Sequence, residues 1–249
     1  MLAPDEGLVS GNDGGGMTTA DQVTLELEDV SAAYGQAVAI QGISLSVREG
    51  SVAALLGENG AGKTTLLRSI SRLHKSTTGR ISFAGTEISN LDPSEVASLG
   101  MTLVREGAKV FETLSVSDHL ALSKRLGGLR RRQKEESQDL ERVWEWFPIL
   151  HERRSQKAGY LSGGQRQMLA LSMAFVSHPK LVLMDEPSAG LAESVCENVY
   201  EVVQRLSDEG MTLLIAEQSR KWFGGMKGTA YILETGHIVS KQSLSDLQS

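Results

Sequence analysis

The stretch Val52-Ala53-Ala54-Leu55-Leu56-Gly57-Glu58-Asn59-Gly60-Ala61-Gly62-Lys63-Thr64-Thr65 decides the fold. Its first five residues form a continuous apolar run, the pattern of a strand buried on both faces of a parallel sheet. Residues 57–64 fit G-x-x-x-x-G-K-[ST] without a mismatch. Leu66, Leu67, Ile70 and Leu73 then recur at helical spacing, so strand, glycine-rich loop and helix follow in the order a phosphate loop requires. The glycines let the backbone fold into a nest whose N–H groups face phosphate oxygens, and the following helix adds the positive end of its dipole. Lys63 is expected on the β- and γ-phosphates and the Thr64 hydroxyl on Mg²⁺. The expected ligand is ATP or GTP. The bland alternative, a glycine turn at a helix start, leaves the lysine and the flanking strand unexplained.

Working outward, strands and helices alternate. Val23, Leu25 and Leu27 alternate with polar residues, as do Ile43, Leu45 and Val47, which suits half-buried strands. Residues 80–87 read as a strand with a turn at Gly85. Helical periodicity dominates 115–157 and is interrupted at Pro148. A helix is expected from Ser162 to Val176, a buried strand at 181–184, a helix around 194–206 and a strand at 211–216. A hairpin-like end turns at Glu234-Thr235-Gly236. The fold class is therefore α/β around a mainly parallel core. Residues 1–22, rich in Asp, Gly and Ser, are expected to form a flexible acidic tail, with Met17 as an alternative start.

The chain has 249 residues, with 25 Lys plus Arg against 31 Asp plus Glu and a net charge of -6. Nothing global draws it to a polyanion, so no nucleic-acid partner is expected. Cys196 is the only cysteine, which excludes an intrachain disulfide and a cysteine-built metal site. The first basic residue is Arg48, so no secretory n-region is visible, and the apolar runs are too short to cross a bilayer. Work at a membrane would need spans supplied by other chains.

Two further motifs carry chemistry. Leu181-Val182-Leu183-Met184 ends in Asp185-Glu186-Pro187. Adjacent strand residues point to opposite faces, so the two acids are expected to differ in role: Asp185 holding Mg²⁺ through water, Glu186 taking a proton from the attacking water. In Leu161-Ser162-Gly163-Gly164-Gln165, Ser162 and Gln165 form an S-x-x-Q capping box. Capping does not explain the paired glycines, which leave a helix N-terminus bare for a phosphate. A single nucleotide can hardly use two such helix starts in one chain, so a head-to-tail dimer closing over ATP is expected.

With these three motifs in order, the chain resembles the ATP-binding-cassette (ABC) ATPases from about Val23 to its end. The resemblance implies an ABC ATPase domain over 23–249: a RecA-like core, an antiparallel β-subdomain and a helical subdomain at about 91–160. It implies that Tyr34 stacks on adenine. Cofactor contacts are then expected from Tyr34, Gly57, Glu58, Asn59, Gly60, Ala61, Gly62, Lys63, Thr64, Thr65, Ser162, Gly163, Gly164 and Gln165. Mg²⁺ contacts are expected from Thr64, Glu106 and Asp185, and catalytic roles for Glu186 and Gln218. Val104–Phe111, Glu186–Ala192 and Ala216–Ser219 look like the "VPEGRRVF", "EPSLGLA" and "VEQN" segments of the ATPase subunits of branched-chain (hydrophobic) amino-acid importers, with Arg105 and Ala108 departing from the first. That closer resemblance implies two membrane permeases, a second non-identical ATPase subunit and an extracytoplasmic substrate-binding protein. It also implies a place at the cytoplasmic face of the plasma (inner) membrane. A related urea or amide importer, or a soluble non-transport ABC ATPase, are the alternatives.

Two positions depart from the general family pattern. Glu106 stands where most members have Gln, and Gln218 where most have a His near the γ-phosphate. Gln218 can hydrogen-bond a phosphate but cannot become a cation near pH 7. The chain's own site is therefore expected to hydrolyse slowly beside a better one on a partner. The five histidines are read as structural, Arg130-Arg131-Arg132 as part of a solvated charged face, and Trp144 and Phe147 as one packed helical face with Trp146 the odd one out.

Overall fold

A computed structural model describes residues 22–75, 77–126 and 133–247. Residues 1–21 of the expected tail and the Arg130–Arg132 run lie outside these residues. Two sheets organise the rest. β1 (Val23–Tyr34), β2 (Ala37–Arg48), β4 (Thr77–Phe83) and β5 (Thr86–Glu87) form an antiparallel sheet in the order β2-β1-β4-β5. The second, six-stranded sheet has the order β10-β9-β3-β8-β7-β6. Its strands are β3 (Val52–Leu56), β6 (Met101–Val104), β7 (Leu181–Asp185), β8 (Leu213–Glu217), β9 (Gly228–Glu234) and β10 (His237–Ser243). All of its pairings are parallel except β9–β10, the expected terminal hairpin.

Every residue of β3, β7 and β8 is buried, as their unbroken apolar runs predict. Their alternating side chains feed two cores. Val52, Ala54, Val182, Met184, Leu213 and Ile215 face the helices α6 (Gly163–Val176) and α7 (Glu193–Asp208). Ala53, Leu55, Leu181, Leu183, Leu214 and Ala216 face the antiparallel sheet and α1 (Lys63–Ile70). Tyr231 ties the two sheets together: its hydroxyl donates to the Ser46 carbonyl at 2.7 Å and accepts from the Ser46 N–H at 3.2 Å.

α2 (Pro93–Ser98), α3 (Val116–Leu126), α4 (Gln133–Trp146) and α5 (Pro148–Glu152) lie within or next to the span expected to be helical. That span also contains β6, whose Met101-Thr102-Leu103-Val104 pairs with Leu181–Met184 in the main sheet, so the next helix after α2 begins only at Val116. Pro148 opens α5, where its missing N–H costs nothing. Phe147 is fully buried. Trp146 is packed as well, its ring 4.6 Å from that of Phe175, with the Arg142 guanidinium 5.1 Å above it. The 100° step of the helix puts Trp146 off the Trp144–Phe147 face, but α6 covers that second face too. No helix among the described residues is long and apolar enough to cross a membrane.

Candidate functional site

The C-terminal ends of β3, β7 and β8 lie side by side, the edge at which open parallel sheets gather their ligands. β3 runs into the glycine-rich loop, β7 ends at Asp185 and β8 at Glu217. Close backbone approach fixes two of the loop's glycines. A Cβ on Gly57 would overlap the Leu233 carbonyl oxygen. One on Gly62, which has φ 109°, would lie 2.6 Å from Ile40 Cγ2 and 2.8 Å from the Ala39 carbonyl. The loop is also tied down from outside, because the Gly236 N–H donates to the Ala61 carbonyl at 2.9 Å. Lys63 opens α1, and neither a side-chain cap nor an acidic residue occupies that helix's first turn. Its N–H groups therefore keep their positive potential.

Four side chains meet here. Lys63 Nζ donates to the carbonyls of Gly57 (2.7 Å) and Glu58 (3.0 Å) and pairs with Glu186 Oε1 at 2.9 Å. Thr64 Oγ1 donates to Asp185 Oδ1 at 3.0 Å. The buried Asp185 carboxyl is pushed above its ordinary range chiefly by desolvation, and further by the charges of Glu186 and Glu106; the Thr64 bond opposes the shift. Glu106, in the turn after β6, thus lies close enough to be felt at the site.

Asp185 and Glu186 are not separated by strand alternation, as the sequence pattern predicts. Asp185 is the last strand residue, and Glu186 lies beyond it in the left-handed region at φ 46°. For a non-glycine residue such a backbone costs about 1–3 kcal/mol and persists only when its surroundings over-determine it. The Glu186 N–H donates to the Ala216 carbonyl, and its own carbonyl accepts from the Ala189 N–H. This turn swings the carboxylate onto Lys63.

Two clefts border the loop. The smaller, about 240 Å³, is lined by Val38, Gly60, Gly62, Lys63, Thr64, Thr65, Glu186 and Thr235, among others. The larger, about 620 Å³, runs over Gly57, Glu58, Asn59, Gly60 and Ala61 to Gln218 and Arg220. Tyr34 lines neither. It ends β1, half-exposed, backed by the His74 ring at 4.5 Å, while His74 Nε2 meets the Ala33 carbonyl at 3.0 Å. Ser162, Gly163, Gly164 and Gln165 also lie outside both clefts. Ser162 and Gln165 make the capping box reciprocally. The two glycines have different reasons. Gly163 is open but for a Leu191 methyl at 3.8 Å, whereas a Cβ on Gly164 would collide with Val195 of α7. Gly164 therefore serves the approach of α6 to α7 as well as the helix start.

Glu217, Arg220 and Thr235 belong to the site's surroundings, although none of them is assigned a part in it from the sequence. The signals for Glu217 were its place in the Ala216–Ser219 segment and a charge closing a strand that is otherwise apolar.

The ABC transporter family model matches residues 40–189. The chain belongs to the ABC transporter family. It is thus an ATP-binding cassette with ATP hydrolase activity and a P-loop fold. It is 37% identical over 215 residues to the high-affinity branched-chain amino acid transport ATP-binding protein BraG of Pseudomonas aeruginosa, covering 86% of this chain and 91% of the relative. It is 30% identical over 216 residues to the xylose/arabinose import ATP-binding protein XylG of Sulfolobus acidocaldarius, covering 86% of each. Among solved structures it is similar to the ADP conformation of an ATP-binding cassette of an ABC transporter. That likeness has a TM-score of 0.74 at 25% identity, over 91% of this chain and 96% of the other.

Proposed function

We propose that this cassette is the ATP-hydrolysing subunit of an importer for branched-chain or other hydrophobic amino acids. The observation that carries the substrate class is the 37% identity to a branched-chain amino acid transport ATPase along nearly the full length of both chains. The partners are two membrane permeases, a second and non-identical cassette ATPase and an extracytoplasmic substrate-binding protein. The place of work is the cytoplasmic face of the plasma (inner) membrane.

In this reading the loop N–H groups from Gly57 to Thr64, with Thr65, hold the phosphates of ATP, and Tyr34 stacks on its adenine. Lys63 exchanges Glu186 for the β- and γ-phosphates. That exchange matters, because it frees the Glu186 carboxylate to accept the proton of the water that attacks the γ-phosphorus. Gln218, on the larger cleft, hydrogen-bonds the γ-phosphate. Ser162, Gly163, Gly164 and Gln165 present the second helix start to the partner's nucleotide.

The Thr64 hydroxyl and, through water, the Asp185 carboxylate, already 3.0 Å apart, would hold Mg²⁺ as hard oxygen donors, with Glu106 within electrostatic reach. When bound, Mg²⁺ neutralises phosphate charge and orients the γ-phosphoryl group.

A groove of about 460 Å³ runs between edge strand β6 with the following Arg105 and Lys109, and α6 at Ala170, Met173 and Ala174. It adjoins Glu106 and is suited to a cytoplasmic helix of a permease, so that ATP binding is felt in the membrane.

Purification of the tagged chain from its native membranes in mild detergent tests the partners. The expected co-purifying set is two permeases and a second cassette with His at the position of Gln218. Recovery as a soluble homodimer, or with ribosomes or DNA, would overturn the transport role.

A further inference from the structure

Glu217 is the charged residue at the end of a wholly buried strand, itself only 2% exposed, and nothing in the reaction as described uses it. Its carboxylate takes hydrogen bonds from three directions. Oε1 accepts from the Ser188 N–H at 3.0 Å and from the Tyr200 hydroxyl at 2.8 Å; Oε2 accepts from the Gln218 N–H at 3.1 Å. Its carbonyl accepts from the Gly57 N–H at 3.2 Å. One residue thus joins the first glycine of the phosphate loop, the loop after Glu186, helix α7 and the backbone of Gln218.

All three donors to the carboxylate are neutral, so the bonds fix geometry rather than neutralise charge. Tyr200 is itself rigid. Its ring stacks on Trp222 at 5.1 Å with the planes 8° apart, and Phe223 meets it edge-on at 6.0 Å. Burial first, then the Glu217 charge, holds its phenol well above the usual tyrosine range, so the hydroxyl stays a donor. Glu186, two residues before Ser188, sits in a strained left-handed backbone that needs restraint from both sides. The Ala216 carbonyl holds one side; the Ser188–Glu217 bond holds the segment that follows.

We propose that Glu217 is a positioning residue for hydrolysis, holding the turn at Glu186 and the peptide at Gln218 in one register so that both side chains meet the same γ-phosphate. The proposal rests on the roles assigned above to Glu186 and Gln218. It requires that the register, and not ATP binding, depends on the carboxylate. The carbonyl contact to Gly57 is backbone and survives substitution.

Glu217→Gln is the direct test, because it keeps volume while setting an amide N–H₂ against one of the three donors. In the purified full-length chain, kcat for ATP hydrolysis is expected to fall at least tenfold, with the Kd for ATP within twofold of wild type. Tyr200→Phe, which removes one donor and keeps the core filled, is expected to lower kcat severalfold, again without moving Kd; it stands in should Glu217→Gln fail to fold. A merely structural role would lower the melting temperature and reduce kcat and binding capacity together. That result, or a kcat within twofold of wild type in both variants, overturns the proposal. Glu186→Gln runs beside them: full turnover in that variant would overturn the assignment of Glu186 itself, separately from any behaviour of Glu217.

Discussion

Glu186→Gln is expected to lower ATP turnover of the purified chain by about 10²- to 10⁴-fold, the range a positioned general base contributes. The same substitution is expected to tighten ATP binding. Without nucleotide, Lys63 Nζ is held by Glu186 Oε1 at 2.9 Å and by two backbone carbonyls. A neutral glutamine releases the strongest of these competitors, since the carboxylate opposes the ammonium with a full charge and the carbonyls only with dipoles. Lys63 then reaches the phosphates at lower cost. Phosphate release under steady state and equilibrium titration with ATP separate the two effects. Turnover within tenfold of wild type would contradict the assignment of the base. In a transporter with the proposed second cassette, the loss is expected to be smaller than that from the matching substitution in that cassette, because Gln218 cannot supply a cation. Equal losses would remove the asymmetry.

Gly57→Ala is expected to abolish ATP binding and destabilise the chain by more than about 2 kcal/mol, whereas Gly60→Ala costs about 1 kcal/mol and leaves the fold intact. The two glycines belong to the same motif but differ in what surrounds them. A Cβ on Gly57 strikes the backbone carbonyl of Leu233 in β9, a strand paired with β3 as far as Ile232 and with β10 at Leu233, so that it cannot retreat. A Cβ on Gly60 meets open space, leaving only the cost of its φ of 82° for an L-residue. Thermal melts and ATP titrations of both variants check the contrast. Equal behaviour would mean that the loop is held by its phosphate ligand rather than by β9.

Patterns confined to one segment were readable in the sequence. The loop, the buried strands β3 and β7, the capping box at Ser162 and the terminal hairpin each follow from short-range rules of periodicity, glycine and capping. What escaped depends on partners distant in the chain. β6 has only four residues, too few for periodicity to declare it, and its place at the sheet edge is set by β7, some eighty residues later. The divergence of Asp185 and Glu186 comes from a left-handed turn that no residue type announces, since Glu at positive φ is uncommon. Gly164 reads as a phosphate-facing glycine until Val195 on α7 is placed against it. Glu217 is the sharpest case. Its three donors come from residues 188, 200 and 218, and only the fold collects them.

Uptake of labelled leucine, isoleucine and valine into cells carrying Lys63→Ala in this chain tests the central claim most directly. Removing the ammonium takes away the contact with the β- and γ-phosphates. Uptake of all three amino acids is expected to fall to background and to return with the wild-type chain, with pentose uptake unchanged. Undiminished branched-chain amino acid uptake, or loss of pentose uptake instead, would contradict the account.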